Sequence, residues 1–377
     1  MKVLQVGKFY PPRWGGMETV LKDICETTQQ WVELKVVVAN EALRTVRENL
    51  AGIDLTRLAS FGTWFSQPLV PGMVSLFRKT DADLVHLHEP NPLAIASYLM
   101  SGCKSRLVIH YHSDIVRQRR LRLLYRPLLN LALAKADSIV VGSSQLMESS
   151  PVLAPFRSKC VVIPFGIDLA PFLAVPGRPS STAEPLILAV GRLSYYKGFQ
   201  YLIEAMSDLP ARLSIVGEGE MRPELEKLIR DRDLEGRVRL EGKVEMEELL
   251  AWYGRADLFC LPSCHSSEAF GLVLVEAMAA GLPVVSTNLP TGVRAVNVHR
   301  ETGLVAQAGQ TASLREALAT LIQDPQLRGQ MGVRGRARAL ELFNRERMGQ
   351  QILALYNAVS AGHAPSKDCA IAKAVTS

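Results

Sequence analysis

Short apolar runs recur along the first half of the chain, separated by polar or helical stretches. They predict strands at Lys2–Val6, Leu34–Ala39, Leu84–His88, Arg106–Tyr111, Ser138–Gly142 and Cys160–Pro164, and helices that include Glu18–Thr28 and Pro92–Ser101. Near-continuous apolar strands are typical of a parallel sheet that helices cover on both faces. The first half is therefore predicted to be a doubly wound α/β domain.

The same alternation starts again at residue 186, after a proline-rich stretch (residues 171–185) that we interpret as a linker. Strands are predicted at Leu186–Val190, Ala211–Val216, Val238–Glu241, Leu258–Pro262, Pro283–Ser286 and Leu304–Val305, and helices at Gly198–Met206, Glu224–Asp233, Glu245–Tyr253, Glu268–Ala280, Ala312–Gln323 and Pro325–Phe343. The prediction is two Rossmann-like domains, residues 1–170 and 186–343, facing each other across a ligand cleft, with a flexible tail over residues 361–377.

Composition narrows the class of protein. The 377 residues are 48% apolar and 21% charged, as in soluble globular proteins. No stretch approaches the roughly twenty apolar residues that span a bilayer, and the amino terminus fits a first strand better than a secretion signal, so we expect a cytoplasmic protein. The six cysteines show no paired metal spacing and are expected to be reduced. The net charge of +6 arises before residue 176, where 20 Lys and Arg accompany 14 Asp and Glu.

The segment from Glu268 to Gly281 contains the strongest candidate site. Glu268 and Glu276 lie eight positions apart on a predicted apolar helix, which would separate them by about 12 Å along its axis. That distance is too long for a shared proton or metal, but it suits two carboxylates that hold the ends of one elongated ligand. Because the first turn of a helix also favours a diphosphate, the layout fits a sugar nucleotide. The pair could equally belong to an ordinary core helix.

Loops after three predicted strands add weaker candidates. Gly15 and Gly16 precede a helix and would let the backbone approach a phosphate. Arg192 and Lys197 could converge on one anion. His112 follows a strand and could contact a hydroxyl or transfer a proton. Each group could instead be a turn, a solvated loop or a strand end, and a metal at the histidine lacks a third ligand at a recognisable spacing.

A basic and amphipathic segment follows His112. Its five arginines are Arg117, Arg119, Arg120, Arg122 and Arg126. This composition suits an anionic membrane surface or a diphosphate-bearing acceptor, and the alternative is a solvated helix face. No nucleic-acid recognition motif accompanies it, so no nucleic-acid partner is expected. Asp81 and Asp83 precede a strand instead of following one, so we interpret them as part of a turn and predict no metal there.

These residues, in this order, resemble the retaining glycosyltransferases of family 4, which have the GT-B fold. The resemblance covers residues 1–360 and rests on a joint set: Gly15-Gly16, His112, Gly166-Ile167-Asp168, Arg192 with Lys197, Gly217-Glu218-Gly219, and the Glu-x7-Glu pair Glu268 and Glu276. It implies that a helix over about residues 344–360 crosses back onto the first domain.

The resemblance also implies roles for the carboxylates and the segment between them. Glu268 would contact the hydroxyls of the transferred sugar, and Glu276 would accept hydrogen bonds from the ribose. Phe270, Gly271 and Leu272 would lie alongside the sugar and the diphosphate.

The other implied roles concern the diphosphate, the base and the far side of the sugar. Arg192 and Lys197 would neutralise the diphosphate, with Gly15 and Gly16 approaching it from the first domain. His112 would contact the sugar's distal hydroxyl. The loop of Gly217 and Glu218 would pass near the base.

The implied reaction transfers a hexose, with mannose from GDP-mannose favoured, onto a lipid-linked or saccharide acceptor in bacterial surface polysaccharide biosynthesis. The anomeric configuration would be retained, giving an alpha linkage, and neither a metal nor another cofactor is expected. The protein would act at the inner face of the plasma membrane as a peripheral protein. Two alternatives stay open: a transferase that uses a UDP- or ADP-sugar and a soluble acceptor, and a non-catalytic nucleotide-sugar sensor.

Overall fold

The computed structural model describes residues 1–64, 67–114, 119–176 and 184–362, and for Trp64 and residues 119–123 it gives the backbone alone. Arg117, most of the predicted tail (residues 363–377) and the middle of the predicted linker (residues 177–183) lie outside this described part.

The first 167 residues alternate strands and helices. The strands are β1 (Lys2–Val6), β2 (Glu33–Ala39), β3 (Val46–Leu50), β4 (Ile53–Leu58), β5 (Thr63–Trp64), β6 (Gln67–Pro68), β7 (Leu84–Glu89), β8 (Arg106–Tyr111), β9 (Ser138–Val141) and β10 (Cys160–Val162). The helices are α1 (Gly16–Thr28), α2 (Met73–Lys79), α3 (Pro92–Ser101), α4 (Arg119–Lys135) and α5 (Ser144–Ser149).

Eight of these strands form one sheet in the order β10-β9-β8-β7-β1-β2-β4-β3, and β5 pairs with β6 separately. All the pairings in the large sheet are parallel except that of β3 with β4. The central strands are buried over almost their whole length, as expected for strands covered on both faces. The order reverses between β1 and β7, and such a switch point is where open α/β sheets bind ligands.

Residues 168–344 repeat this plan. The strands are β11 (Leu186–Val190), β12 (Arg212–Val216), β13 (Val238–Gly242), β14 (Leu258–Leu261), β15 (Val284–Thr287) and β16 (Gly303–Ala306). The helices are α6 (Ala170–Leu173), α7 (Phe199–Ala205), α8 (Arg222–Asp231), α9 (Met246–Arg255), α10 (Leu272–Ala279), α11 (Val293–Val296), α12 (Thr311–Gln323) and α13 (Pro325–Leu342). The sheet is parallel in the order β13-β12-β11-β14-β15-β16, with its switch point between β11 and β14.

The final helix, α14 (Arg345–Ser360), packs against α1 in the first half of the chain. Gly349 makes the contact possible, because a Cβ there would overlap the side chain of Thr27. The chain accordingly divides into unit 1, residues 1–167 with 345 onward, and unit 2, residues 168–344. The two doubly wound units confirm the predicted fold class.

Two details differ from the sequence-based expectation. The start of the expected linker is folded: α6 lies there, and Phe172 is buried with its ring edge-on to Tyr253. The expected helix from Glu268 begins only at Leu272, because Gly271 has a φ of +80°, which is outside the helical region. Glu268 therefore lies in the loop before α10, and the 12 Å helical spacing does not apply to the glutamate pair.

Candidate functional site

Glycines shape the loops at the carboxyl ends of β11 and β12. A Cβ on Gly217 would overlap the carbonyl oxygen of Gly191, and a Cβ on Gly198 would overlap that of Pro262. All three glycines have positive φ angles, which favour glycine. A Cβ on Gly191 would also press on the end of the Lys197 side chain. The glycines thus let the loops pack closely and leave room for Lys197 at the switch point of unit 2.

Lys197 and Glu268 form a buried ion pair at this edge. The Nζ atom of Lys197 lies 2.7 Å from Oε2 of Glu268, and both side chains are about nine-tenths buried. Ser263, just after β14, donates a hydrogen bond of 2.9 Å to the same oxygen. Burial alone would lower the pKa of Lys197, but the negative charge of Glu268 more than offsets it, so the pKa is raised and the ammonium stays protonated.

Glu276 completes this cluster from the first turns of α10. Its Oε2 atom accepts a hydrogen bond of 2.7 Å from the hydroxyl of Tyr253 on α9. Burial raises the pKa of Glu276, while Tyr253 and the charge of Lys197 act in the opposite direction. Lys197 therefore interacts with both glutamates, and the structure brings together three of the residues proposed from sequence.

Arg192 does not join Lys197 in this structure. Its side chain is 73% exposed and forms an ion pair with Glu220 at 3.3 Å. Glu218 is exposed as well and pairs with Arg222 on α8 at 2.6 Å. Both residues lie on loops of the same sheet edge, so their side chains can turn toward a ligand without unfolding anything.

The segment between the two glutamates combines a buried aromatic ring with the start of a helix. The ring of Phe270 is buried edge-on to Phe343 at 5.7 Å. Gly271 precedes the first residue of α10, Leu272, which is half-buried. Backbone N–H groups at this helix start remain suited to an anion.

In unit 1, Gly15 and Gly16 open helix α1 as expected. Gly16 is exposed, and a Cβ there would meet no neighbouring atom, so close packing does not explain this glycine. A Cβ on Gly15 would instead press on the carboxylate of Glu18 in the first turn. Burial raises the pKa of Glu18, so an acidic side chain already lies near this helix start.

His112 belongs to a group of four histidines that the sequence reasoning missed. His86 and His88 on β7 lie beside His110 on β8 and His112 just after it, and all four are buried. His88 pairs with His110 in the strand register, and residues two apart on a strand share a face. Two His-x-His patterns at the ends of strands could have signalled the group, but only if β7 and β8 were known to be neighbours.

Hydrogen bonds tie this group to the switch point of unit 1. Nδ1 of His88 lies 2.9 Å from Nε2 of His112, and Nε2 of His88 lies 3.1 Å from Oε1 of Gln5 on β1. The Nε2 atom of Gln5 donates a bond of 2.7 Å to the hydroxyl of Tyr356 on α14. Burial lowers the pKa of every histidine in the group, that of His88 to about 3, so the imidazoles are neutral.

Ring nitrogens of His86, His88 and His110 lie within 4.8 Å of one another, a grouping that could hold a metal ion. However, both nitrogens of His88 already take part in hydrogen bonds, so it could bind a metal only by giving one of them up. Asp81 and Asp83 bind Lys2, through its side chain and its backbone N–H respectively. This contact supports the interpretation of the two aspartates as part of a turn.

Helix α4 carries the basic segment. Tyr125 attaches it to the sheet by donating a hydrogen bond of 2.8 Å to Glu89, a buried residue whose other oxygen accepts from the backbone N–H of Asn91. On another side of the helix, Leu124 and Leu131 are 80% and 61% exposed, and Arg126 is exposed too. Of the other four arginines, Arg117 lies outside the described residues, and the side chains of Arg119, Arg120 and Arg122 are not described.

Two family models match consecutive parts of the chain. Residues 14–171 match Glycosyltransferase Family 4, and residues 176–338 match Glycosyl transferases group 1. The D-rhamnosyltransferase WbpZ of Pseudomonas aeruginosa is 32% identical over 365 residues, which cover 91% of this chain and 92% of that protein. The chain belongs to glycosyltransferase family 4. It is therefore a glycosyltransferase, as the resemblance implies.

Other comparisons agree with this assignment. The O-antigen chain mannosyltransferase C of Escherichia coli is 29% identical to this family 4 chain, over 94% of the chain and 98% of that protein. A sucrose-phosphate synthase structure from Thermosynechococcus elongatus superimposes with a TM-score of 0.81 at 23% identity, over 96% of this chain and 99% of that one. At that identity it shows the fold alone, which is the expected GT-B fold.

The cysteines and the apolar helices bear on two expectations from composition. Cys25, Cys103, Cys160, Cys260 and Cys264 form no disulfide, and Cys369 lies outside the described part of the chain. Among the helices described, none has the length and apolar character needed to cross a bilayer.

Proposed function

We propose that this glycosyltransferase moves a hexose from a nucleotide-sugar to an acceptor with retention of the anomeric configuration and without a metal. The observation that carries the proposal is the buried Lys197–Glu268 pair at the switch point of unit 2, with Glu276 close by. A departing diphosphate needs positive charge where its own negative charge develops. An ammonium has three N–H donors, so Lys197 can hold Glu268 and still donate to a phosphate oxygen.

The carboxylates would orient the sugar and the ribose. Glu268 is held by Lys197 and Ser263 through one oxygen, Oε2, which leaves its second oxygen as an acceptor for sugar hydroxyls. Glu276 is fixed by Tyr253 in the same manner and would accept from the ribose. Transfer can then proceed with charge stabilisation from Lys197, Arg192 and the start of α10. Transfer rates should persist in excess EDTA, and strict dependence on an added divalent ion would refute this part.

We further propose a donor of the manno configuration, with GDP-mannose as the first candidate. Two similar proteins support this choice: one is named a mannosyltransferase and the other a D-rhamnosyltransferase, and D-rhamnose is 6-deoxy-D-mannose. The test is a thermal-shift panel of GDP-, UDP- and ADP-sugars, since a ligand that binds the folded state raises its melting temperature. Transfer assays follow with the donor that stabilises most. Stabilisation by a UDP-sugar alone would overturn the choice.

The acceptor proposed is lipid-linked, and α4 would meet the membrane that carries it in bacterial polysaccharide assembly. Leu124 and Leu131 lie seven positions apart, on one face of the helix, and Arg126 is exposed on the opposite side of the same helix. Apolar and basic side chains together suit an anionic lipid surface, which matches the positive net charge of the first half of the chain.

Vesicle flotation tests this contact. The protein should float with vesicles of anionic phospholipid and much less with zwitterionic ones, and Leu124→Glu with Leu131→Glu should abolish flotation. The matched control is Val333→Glu, because Val333 is 72% exposed on α13 in unit 2 and should not contribute. Equal flotation of the double variant and the wild type would exclude α4 as the membrane contact and favour a soluble acceptor.

A further inference from the structure

We propose that Gln5, His88 and Tyr356 act as positioning residues for His112, by fixing which of its ring nitrogens is the hydrogen-bond acceptor offered to the donor sugar. The inference rests on the proposed function, together with the role that the family resemblance implies for His112, for its link to a sugar hydroxyl, but the hydrogen-bond chain itself is independent of substrate. We refer to these four residues as the relay.

The relay is continuous and buried. It runs from the hydroxyl of Tyr356 to Nε2 of Gln5 at 2.7 Å, from Oε1 of Gln5 to Nε2 of His88 at 3.1 Å, and from Nδ1 of His88 to Nε2 of His112 at 2.9 Å. Gln5, His88 and Tyr356 are fully buried, and His112 is 4% exposed. Since buried polar groups are costly to leave unpaired, each member depends on its neighbours.

The amide of Gln5 sets the direction of every proton in the relay. Its nitrogen donates to Tyr356, so its oxygen faces His88 and can only accept. Nε2 of His88 must therefore carry the proton of that neutral ring, and Nδ1 becomes an acceptor. His112 then donates from Nε2, and its Nδ1 is left as the acceptor nitrogen of the neutral ring.

Turning the Gln5 amide by 180° would reverse the whole chain. Its NH₂ group would donate to His88, His88 would donate to His112, and Nδ1 of His112 would become a donor. The hydroxyl of Tyr356 also lies 2.6 Å from Nδ1 of His86, so the reversal would make Tyr356 donate to Gln5 and would require the proton of the neutral His86 ring to sit on Nδ1. Phe165 packs against the rings of His110 and His112, which limits rotation of the imidazole.

The consequence is a requirement on the donor. A neutral His112 with Nδ1 as acceptor favours a sugar that presents a hydroxyl hydrogen there, and it gives no hydrogen bond to a sugar deoxygenated at that position. The two similar proteins named above act on mannose and on its 6-deoxy form. The direction in which the hydrogen bonds of the relay run is therefore a means by which a chain of this family could distinguish a mannosyl donor from a 6-deoxymannosyl donor.

Histidine tautomers can be read directly from ¹⁵N chemical shifts and long-range couplings. The chain has seven histidines, and the spectrum of a His112→Gln variant identifies the signals of His112. We expect His112 to be neutral with its proton on Nε2 in the wild-type protein. We expect Gln5→Met to give a mixture of tautomers, because Met fills similar space without the amide. A wild-type His112 protonated on Nδ1, or a Gln5→Met spectrum unchanged at His112, would overturn the proposal.

Two further variants distinguish the effect of hydrogen-bond direction on the His112 tautomer from the effect of packing around its ring. Gln5→Glu should rescue the Nε2–H tautomer, because a buried carboxylic acid can donate to Tyr356 and accept from His88 as the amide does. His110→Phe is the matched control, since both ring nitrogens of His110 are buried without a hydrogen-bond partner, and it should leave the tautomer of His112 unchanged. If the His112 signals shifted as much in His110→Phe as in Gln5→Met, packing around His112 and not the hydrogen bonds of the relay would determine its tautomer.

Kinetics link the relay to donor recognition. With the preferred donor, kcat/KM of Gln5→Met should fall about tenfold, the scale of one hydrogen bond, and Gln5→Glu should recover most of it. The loss should vanish with the singly deoxygenated donor that lacks the hydroxyl contacted by His112. The same loss with every deoxygenated donor would refute the link, while absence of transfer from any nucleotide-sugar by the wild type would refute the proposed function and leave the tautomer result standing.

Discussion

The two units carry their candidate residues at equivalent positions of their sheets, but the residues are charged in one unit and neutral in the other. Each places its candidate functional side chains at the switch point of its large sheet, between β1 and β7 in unit 1 and between β11 and β14 in unit 2. In unit 2 the cluster is charged, with Lys197 paired to Glu268 and close to Glu276. In unit 1 the relay consists of neutral groups that bind one another only by hydrogen bonds.

The difference corresponds to the parts of the ligand proposed for each unit. A diphosphate requires compensating charge, and a buried ammonium provides it only if carboxylates keep it protonated. A sugar hydroxyl requires no charge, but it does require an acceptor with a defined direction. In the charged cluster, removal of either charged partner should therefore lower stability and activity. In the neutral relay, the damaging change should be one that no longer fixes the direction of the hydrogen bonds.

The largest effect is expected from Lys197→Met. Its kcat should fall by about 10²–10³, the scale measured when one group that stabilises developing charge is removed, and unfolding should become easier by about 3–5 kcal/mol because Glu268 is left buried and unpaired. Steady-state kinetics and a thermal melt measure the two effects. Lys227→Met, which breaks an exposed pair with Asp231, is the control and should change neither.

Adding Glu268→Gln to Lys197→Met distinguishes folding from function. The double variant should regain most of the lost stability, because the side chain at position 268 no longer carries a buried, unpaired charge, yet it should stay inactive. Recovery of activity together with stability would show that the pair serves the fold and not the transfer.

The second effect concerns Glu89, a buried carboxyl of unit 1. Burial raises the pKa of Glu89 from 4.5 to about 7, so between these values the folded chain holds a proton that the unfolded chain has released. The resulting stability is present at low pH and is lost as the pH rises from about 4.5 to about 7. Glu89→Gln should remove this pH dependence. At pH 8 its free energy of unfolding should exceed that of the wild type by up to about 3 kcal/mol.

Calorimetry at pH 5 and pH 8 measures this difference. The four buried histidines have depressed pKa values, so their contribution runs the other way and falls as the pH drops below about 6.5. Comparing the variant with the wild type cancels that background. If the difference in free energy of unfolding between the variant and the wild type were the same at both pH values, the raised pKa of Glu89 in the folded protein would be contradicted.

A smaller effect is expected from Tyr253→Phe. Glu276 would lose its hydrogen-bond donor while remaining buried, which should cost about 1–2 kcal/mol of stability and raise the pKa of Glu276 further. If Glu276 accepts from the ribose, donor KM should rise several-fold and rise more at low pH, where the carboxyl is protonated. A KM independent of both the substitution and the pH would remove Glu276 from the donor site.

Arg192→Ala should have the smallest effect on the fold. Its pair with Glu220 is exposed, so unfolding should change by no more than about 0.5 kcal/mol. Turnover should nevertheless fall about tenfold if the guanidinium turns to the diphosphate, as expected for one charged hydrogen bond. Glu220→Gln is the control and should keep full turnover, and equal losses in the two variants would assign the effect to the loop and not to Arg192.

Much of the fold was readable from the chain because buried parallel strands are apolar throughout, and most predicted elements fall within a few residues of the observed ones. The hairpin of β3 and β4 was missed because β3, Val46–Leu50, is polar and mostly exposed at the sheet edge. The late start of α10 was missed because the conformation of Gly271 is not visible in the apolar pattern.

The charged site was more predictable than the neutral one. Glu268, Glu276 and Lys197 stand in recognisable motifs after strands, whereas the relay joins residues that no local pattern connects. Gln5 and Tyr356 are 351 positions apart, and they meet because α14 packs against α1 within unit 1. Long-range side-chain contacts of this kind depend on the order of strands and helices in space, which spacing along the chain does not specify.

The position of α14 also bears on how the protein is made. A ribosome releases the whole of residues 168–344 before the helix that supplies Tyr356, so in a nascent chain Gln5 and His86 stay without the cover of Tyr356 while the second sheet is made. A polypeptide interrupted anywhere before residue 345 would lack that cover however well its second sheet had folded. Maturation of the amino-terminal half thereby depends on a helix that is made only after the second sheet.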